Sequence, residues 1–221
     1  GRVMASKAKA IDANGVTLED GTRVEADQIV VATGSSNAMP FKPQGADIKG
    51  LKADNHRIYQ QLKAARRIGI VGAGAVGTEL AGEIAYAMPD KKVTLISSDE
   101  ALFPTMPSKL GASLATKLRK AGVTLILGQR AENLKSLTEP YAGTLQLADG
   151  SQRDFDLIFP VIGSRANSEV LETLAGVQKT TANRIKVDPW MRPSSLPNVF
   201  AAGDVADVGD AMTIVATSRQ L

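Results

Sequence analysis

The chain has 221 residues, enough to bury a sizeable core in one large domain or two small ones. A net charge of +3 is too slight to argue for nucleic acid, and aromatic residues at 4% leave few platforms for base stacking. The absence of cysteine excludes disulfides, thiolate metal clusters and a catalytic dithiol within it, and the single histidine, His56, excludes a histidine-rich metal site, so no metal centre is expected.

Residues 2–34 have a β cadence. Apolar runs at 3–6, 8–11 and 16–18 alternate with Asn14-Gly15 and Asp20-Gly21, hairpin dipeptides whose residues tolerate positive φ. Arg23-Val24 follows, and a buried run at 28–32 ends in Thr33-Gly34-Ser35-Ser36. Pro40, Pro43, Gly45 and Gly50 mark a loop region within 37–65, with a short helix expected at about 57–64.

A second apolar run, 68–71, meets Gly72, Gly74 and Gly77, and Val76, Leu80 and Ile84 continue at four-residue steps. This is the spacing of a strand, a phosphate-cradling turn and a helix N-terminus. Gly72 permits the turn, Gly74 lets the backbone approach a pyrophosphate, and Gly77 lets the helix lie close on the strand. The ligand's charge would sit against unpaired helix amides. The expected dinucleotide loop is thus Gly72, Ala73, Gly74, Ala75, Val76 and Gly77. Pro89 stops the helix; 92–97 reads as a strand, 108–121 as a helix ended by Gly122, and 123–127 as a strand. The alternation predicts a parallel, doubly wound sheet.

The chain then repeats itself. Residues 16–35 align without a gap on 145–164: Asp20-Gly21 on Asp149-Gly150, Asp27 on Asp156, Gly34-Ser35 on Gly163-Ser164, at a constant offset of 129 (149 − 20). We read two copies of one nucleotide-binding unit. In the second copy the glycine loop precedes Gly163 by 91 positions (163 − 72), and the same spacing ahead of Gly34 falls before residue 1. The expectation is a fragment lacking its first phosphate loop. Residues 184–188 read as a strand, and 191–204 as a turn feeding a buried strand that ends in Gly203-Asp204, a carboxylate placed to accept a ligand hydroxyl. Helix-like sequence runs to Leu221, so the C-terminus is expected to be cut too.

Gly72-x-Gly74-x-x-Gly77-x-Glu79, the Ala32-Thr33-Gly34 strand end and Asn198-Val-Phe-Ala-Ala-Gly-Asp204 resemble the FAD-dependent pyridine nucleotide-disulfide oxidoreductases. Gly77-x-Glu79-Leu-Ala81-x-Glu83-Ile with Lys91-Lys92-Val-Thr-Leu is most similar to the apoptosis-inducing-factor-like quinone reductases and type II NADH dehydrogenases. The resemblance implies an α/β fold in which a Rossmann-like NAD(P)H domain, 66–165, a parallel sheet plus β-meander, is inserted in a partial FAD-binding domain, 1–65 and 166–221. It implies that Thr33, Gly34, Gly203 and Asp204 carry FAD contacts, with Asp204 on the ribityl chain. Glu79 would lie near the nicotinamide as the catalytic residue, and Ile162 and Gly163 would cover it.

The reaction so implied passes hydride from NAD(P)H to flavin and on to a second acceptor. Without cysteine that acceptor is expected to be a quinone, a dye-like molecule, oxygen or a redox protein. Without the first loop, FAD belongs to the parent protein and is held poorly by this chain. At the end of the second strand Ser97 decides nothing between NAD and NADP, while Asp99 or Glu100 would repel a 2′-phosphate; Ser97, Ser98 and Asp99 complete the expected cofactor site, with NAD favoured. Glu83 reads as a surface residue. A cytoplasmic location is expected, with membrane association arising only through segments outside the chain, and no nucleic-acid partner. The alternative function is a redox-inactive NAD(H)-binding or signalling module.

Overall fold

A computed structural model describes residues 1–42, 47–104, 106–209, 217–218 and 220. Pro43 and Gly45 of the expected loop, and most of the expected C-terminal helix, lie outside the described residues. In chain order the elements are β1 (Ala8–Asp12), β2 (Gly15–Leu18), β3 (Arg23–Glu25), β4 (Ile29–Val31), β5 (Ser35–Ser36), α1 (Ile48–Ala64), β6 (Arg67–Val71), α2 (Ala75–Ala87), β7 (Lys92–Ile96), α3 (Ser108–Lys120), β8 (Thr124–Ile126), β9 (Tyr141–Gln146), β10 (Gln152–Pro160), β11 (Arg165–Ala166), β12 (Ile185–Lys186), β13 (Val199–Ala201) and β14 (Ala206–Asp207). They form two compact units, residues 1–36 with 164–221, and residues 37–163.

In the unit of 37–163, five strands lie in the order β8-β7-β6-β10-β9. β8, β7, β6 and the second half of β10 run parallel, and β9 pairs antiparallel with β10. Side chains alternate across the sheet. Ile68, Ile70, Val93, Leu95, Leu157 and Phe159 face one core with Ile58 of α1, Ala81 and Ile84 of α2, and Ala115 and Leu118 of α3. Val71, Ile96 and Ile158 face another, formed with Leu145, Leu147 and Phe155. Among the described residues the helices therefore cover one face only. This corrects the doubly wound expectation: the β9–β10 meander curls over the second face, where Phe155 occupies the space a Gly69 Cβ would need, 2.9 Å from its ring.

The expected short helix at 57–64 is a 17-residue α1 beginning at Ile48. Asp47 caps it, accepting the Lys49 N–H at 3.0 Å, so Gly50 falls inside the first turn rather than in a loop. At the other end Lys91 Nζ donates to the carbonyls of Lys63 (3.0 Å) and Ala65 (2.7 Å), a cation on the last turn. Because Met39, Ile58 and Ala65 join the core of the parallel sheet, the compact unit begins at residue 37, and residues 37–42 and 47–65 belong to it rather than to the unit of 1–36.

Asp156 fastens the start of β6. One carboxylate oxygen accepts the backbone N–H groups of Arg66 (3.1 Å) and Arg67 (2.8 Å), and the other accepts the Arg67 guanidinium through Nε (3.2 Å) and Nη2 (2.8 Å). The Arg67 fork first, then these amides, hold the carboxyl well below the usual carboxylate range.

The unit of 1–36 and 164–221 holds the three-stranded β1-β2-β3 meander and the parallel pair β13-β4. Its core gathers Ile11, Ile29, Val31, Leu171, Ile185, Val199 and Val205. Residues 3–6, expected as a strand, form none, and Val3 is exposed. The first hairpin forms, but not through positive φ at Asn14. Its turn is Ala13-Asn14, held by Asp12 Oδ1 accepting the Asn14 N–H at 2.8 Å.

The repeat is physical. Leu18 N–H donates to Thr22 O and Leu147 N–H to Ser151 O, both at 2.9 Å. Asp20 and Asp149 each accept the N–H two residues on, at 2.9 and 2.8 Å. Gly21 and Gly150 take φ of +85° and +81°, and Gly34 and Gly163 take +68° and +66°. Chance hairpins would not share this whole set. No helix among the described residues is long and apolar enough to cross a membrane.

Candidate functional site

The site grows from the end of β6. Gly72 N–H donates to Ile96 O at 2.8 Å and Val161 N–H to Val71 O at 2.7 Å, fixing the loop between the ends of β7 and β10. Gly72 turns with φ of +108°, and a Cβ there would lie 2.1 Å from the Val161 carbonyl oxygen. Only glycine makes this turn. Gly77 lies in the first turn of α2, where a Cβ would come within 1.9 Å of the Gly72 oxygen. Thr78 Oγ1 ties the helix to the loop by donating to the Ala73 carbonyl at 3.3 Å.

Gly74 differs. It is the N-cap of α2, it is exposed, and a Cβ on it would meet nothing within 4 Å. No side chain caps α2 and no acid stands in its first turn, so its leading amides keep their donor capacity and the positive end of the helix dipole is uncompensated. An uncapped helix N-terminus with open space before it can hold an anion.

A cavity of about 430 Å³ opens here, within the range of roughly 300–1,000 Å³ usual for small-ligand sites. Gly72, Ala73, Gly74, Ser97, Ser98, Asp99, Ile162 and Gly163 line it. The sequence had selected these residues from three separate segments. Ala75, Val76, Gly77 and Glu79 are not in its wall; Glu79 stands exposed on α2, as does Glu83. Gln129, Arg130 and Ala131 also line the cavity and were not expected. The strand order brings them there. β8 lies beside β7 and parallel to it, so the residues following each must share one rim.

In the other unit, β4 and β13 pair in parallel with Val31 opposite Ala201, and Ala202 N–H donates to Val31 O at 3.0 Å. Thr33-Gly34 and Gly203-Asp204, 169 positions apart in sequence (203 − 34), therefore leave the carboxyl ends of neighbouring strands. Ser35 Oγ donates to Asp204 Oδ2 at 2.5 Å and closes the two loops together. Asn167, absent from the sequence expectations, clamps the turn. Its N–H donates to Gly34 O (3.0 Å), its Nδ2 to Thr33 O (3.0 Å), and it accepts Thr33 Oγ1 on its carbonyl (2.5 Å) and Ser36 Oγ on Oδ1 (2.6 Å). A cavity of about 550 Å³ takes Thr33, Ser36 and Asn167 in its wall, but not Gly34, Gly203 or Asp204. Gly34, at φ +68° with open space where its Cβ would be, leaves room for a ligand beside a half-buried carboxylate. Among the described residues no group of three His, Cys, Asp or Glu side chains is arranged to hold a metal.

Strand ends carrying glycine turns, hydroxyls and a carboxylate, with a glycine-cradled helix N-terminus in a parallel sheet, define a dinucleotide-fold protein. The chain belongs to the pyridine nucleotide-disulphide oxidoreductase family, whose model matches residues 2–220. The resemblance and the α/β fold class expected from the sequence are borne out. Among curated proteins it is similar to apoptosis-inducing factor homolog A of Dictyostelium discoideum, 29% identical over 90% of this chain and 53% of that one. It is also similar to ferroptosis suppressor protein 1 of Taeniopygia guttata, 29% identical over 87% of this chain and 53% of that one. Among solved structures it is similar to the water-forming NADH oxidase of Lactobacillus brevis bound to NADH, with 28% identity and a TM-score of 0.66 over 90% of this chain and 45% of that one. The chain spans about half the length of the curated relatives it matches.

Proposed function

We propose that the chain is the NAD(P)H-binding core of an FAD-dependent oxidoreductase. The observation that carries this reading is the glycine cradle, which opens an uncapped helix N-terminus onto a cavity at the carboxyl ends of parallel strands. The unit of residues 37–163 takes NAD(P)H: Gly72, Gly74 and the first amides of α2 hold the pyrophosphate, the Ser97–Asp99 loop the adenosine ribose, and Ile162 and Gly163 cover the nicotinamide. The unit of 1–36 and 164–221 supplies FAD contacts through Thr33, Gly34, Gly203 and Asp204. The flavin supplies the two-electron chemistry, hydride in from NAD(P)H and an electron pair out to an acceptor. The acceptor is a quinone or another non-disulfide group, small molecule or protein.

The purified intact protein tests this. Visible flavin absorbance that bleaches with NADH, and NADH-driven quinone reduction, are expected. Nucleotide binding without flavin or turnover would leave the redox-inactive NAD(H)-binding module instead.

Two substitutions separate the sites. Glu79→Ala, at an exposed carboxylate one turn into α2 and outside the cavity wall, is expected to slow flavin reduction by NADH in stopped-flow traces by about tenfold through loss of nicotinamide positioning. An unchanged rate removes Glu79 from the catalytic machinery. Asn167→Ala deletes the side-chain clamp on the Thr33–Ser36 turn. The flavin content of the purified protein should fall while NADH affinity is unchanged; full flavin occupancy would show that the clamp serves folding alone.

A further inference from the structure

The dinucleotide cavity carries an arginine that the glycine cradle does not need. In this fold the cradle takes the pyrophosphate, and the end of the next strand takes the adenosine ribose. Here that strand is β7, continued by Ser97, Ser98 and Asp99 in the cavity wall. The loop after β8 is fastened to this segment. Gly128 N–H donates to Asp99 O and Gln129 N–H to Ser97 O, both at 2.9 Å. Arg130 is the next residue, so it enters the same wall as Asp99 from the neighbouring strand.

The two neighbours of these charges are already engaged. Gln129 Oε1 accepts the Asp149 N–H at 3.1 Å, and Ser97 Oγ accepts the Asp99 N–H at 3.1 Å. The Arg130 guanidinium and the Asp99 carboxylate, by contrast, have no side-chain partner among the described residues and do not pair with each other. An acid at this place accepts the ribose 2′-hydroxyl and repels a 2′-phosphate, whereas an arginine holds that phosphate by charge-assisted hydrogen bonds. Both residues belong to the wall, and Arg130 is exposed.

We propose that Arg130 binds the 2′-phosphate of NADPH, so that the cavity accepts NADPH as well as NADH, with Asp99 keeping NADH the tighter of the two. This rests on the NAD(P)H reading of the cavity. NADP⁺ and NAD⁺ differ only at the 2′ position, so their ratio isolates the residue from the rest of the site.

The test is calorimetric titration of the intact protein with NAD⁺, NADP⁺, 5′-AMP and adenosine 2′,5′-bisphosphate, for wild type, Arg130→Ala and Arg130→Lys. Arg130→Ala should weaken NADP⁺ and the bisphosphate by about tenfold or more and change NAD⁺ and AMP by less than about twofold. Arg130→Lys should restore part of the loss, since it keeps a point charge but not the fork. The difference between wild type and Arg130→Ala should shrink as salt is raised. Equal losses for all four ligands, no loss for NADP⁺, or a wild type that binds NAD⁺ but not NADP⁺, would each overturn the role of Arg130 while leaving the cavity reading in place. A wild type that binds none of the four would overturn both.

Discussion

Gly77→Ala should abolish NAD(P)H binding and destabilise the protein. Its Cβ would stand 1.9 Å from the Gly72 carbonyl oxygen, a backbone atom that cannot swing aside. Gly72 in turn is held at φ +108° with its own Cβ position 2.1 Å from Val161 O. The loop cannot yield without moving β10, or the helix must shift off the sheet. Overpacking of this kind costs about 3 kcal/mol. Gly74→Ala is the control: its φ of −72° suits alanine and its Cβ meets nothing within 4 Å. That variant should keep the wild-type melting temperature and lose affinity, because the methyl group occupies the pyrophosphate's approach. Thermal melts with NADH titrations check both. A Gly77→Ala protein that melts and binds like wild type would refute the packing argument.

Asp156→Asn should lower the melting temperature by several degrees at neutral pH, with an effect that fades in acid. The carboxylate serves two guanidinium nitrogens and two backbone amides at the start of β6, the strand that delivers the cradle. Its proton affinity is depressed by folding, chiefly by Arg67. A depressed group binds fewer protons folded than unfolded, so its contribution is complete above the unfolded value near about 4 and is lost as pH falls below it. Asparagine keeps an acceptor for the amides but loses the charge. The gap between wild type and variant should therefore be widest at pH 6–8, by this linkage, and narrow steadily below about pH 4. Other carboxylates titrate in the same window, among them Asp12, Asp149 and Glu172, but they are common to both proteins and cancel in the difference. A gap independent of pH would assign the effect to shape rather than charge.

The β6–loop–α2 segment was legible because its glycines are required by the backbone itself: a positive φ at Gly72 and a contact no Cβ allows at Gly77. The internal repeat was legible because matching turns reuse the same local hydrogen bonds. The start of α1 was not. Its inward stripe, Leu51, Asp54, Ile58 and Leu62, includes a carboxylate and buries only Ile58 fully, so the helical period is faint, while Gly50 in the first turn resembles loop punctuation. The one-sided placement of helices was hidden because β6 and β7 are apolar on both faces, which fits a sheet covered by helices on each side as well as one covered by a meander. Arg130 and Asn167 act through neighbours far away in sequence. Arg130 belongs to the site only because β8 lies beside β7, and Asn167 only because β11 pairs with β5.

Calorimetric titration of the intact protein with NADH, run beside Gly74→Ala, tests the central claim most directly. The account predicts saturable binding by the wild type and a large loss of affinity in a variant that is folded and equally stable. Absence of binding by the wild type, or equal binding by both proteins, would contradict the assignment of the Gly72–Gly77 cradle to a nicotinamide dinucleotide.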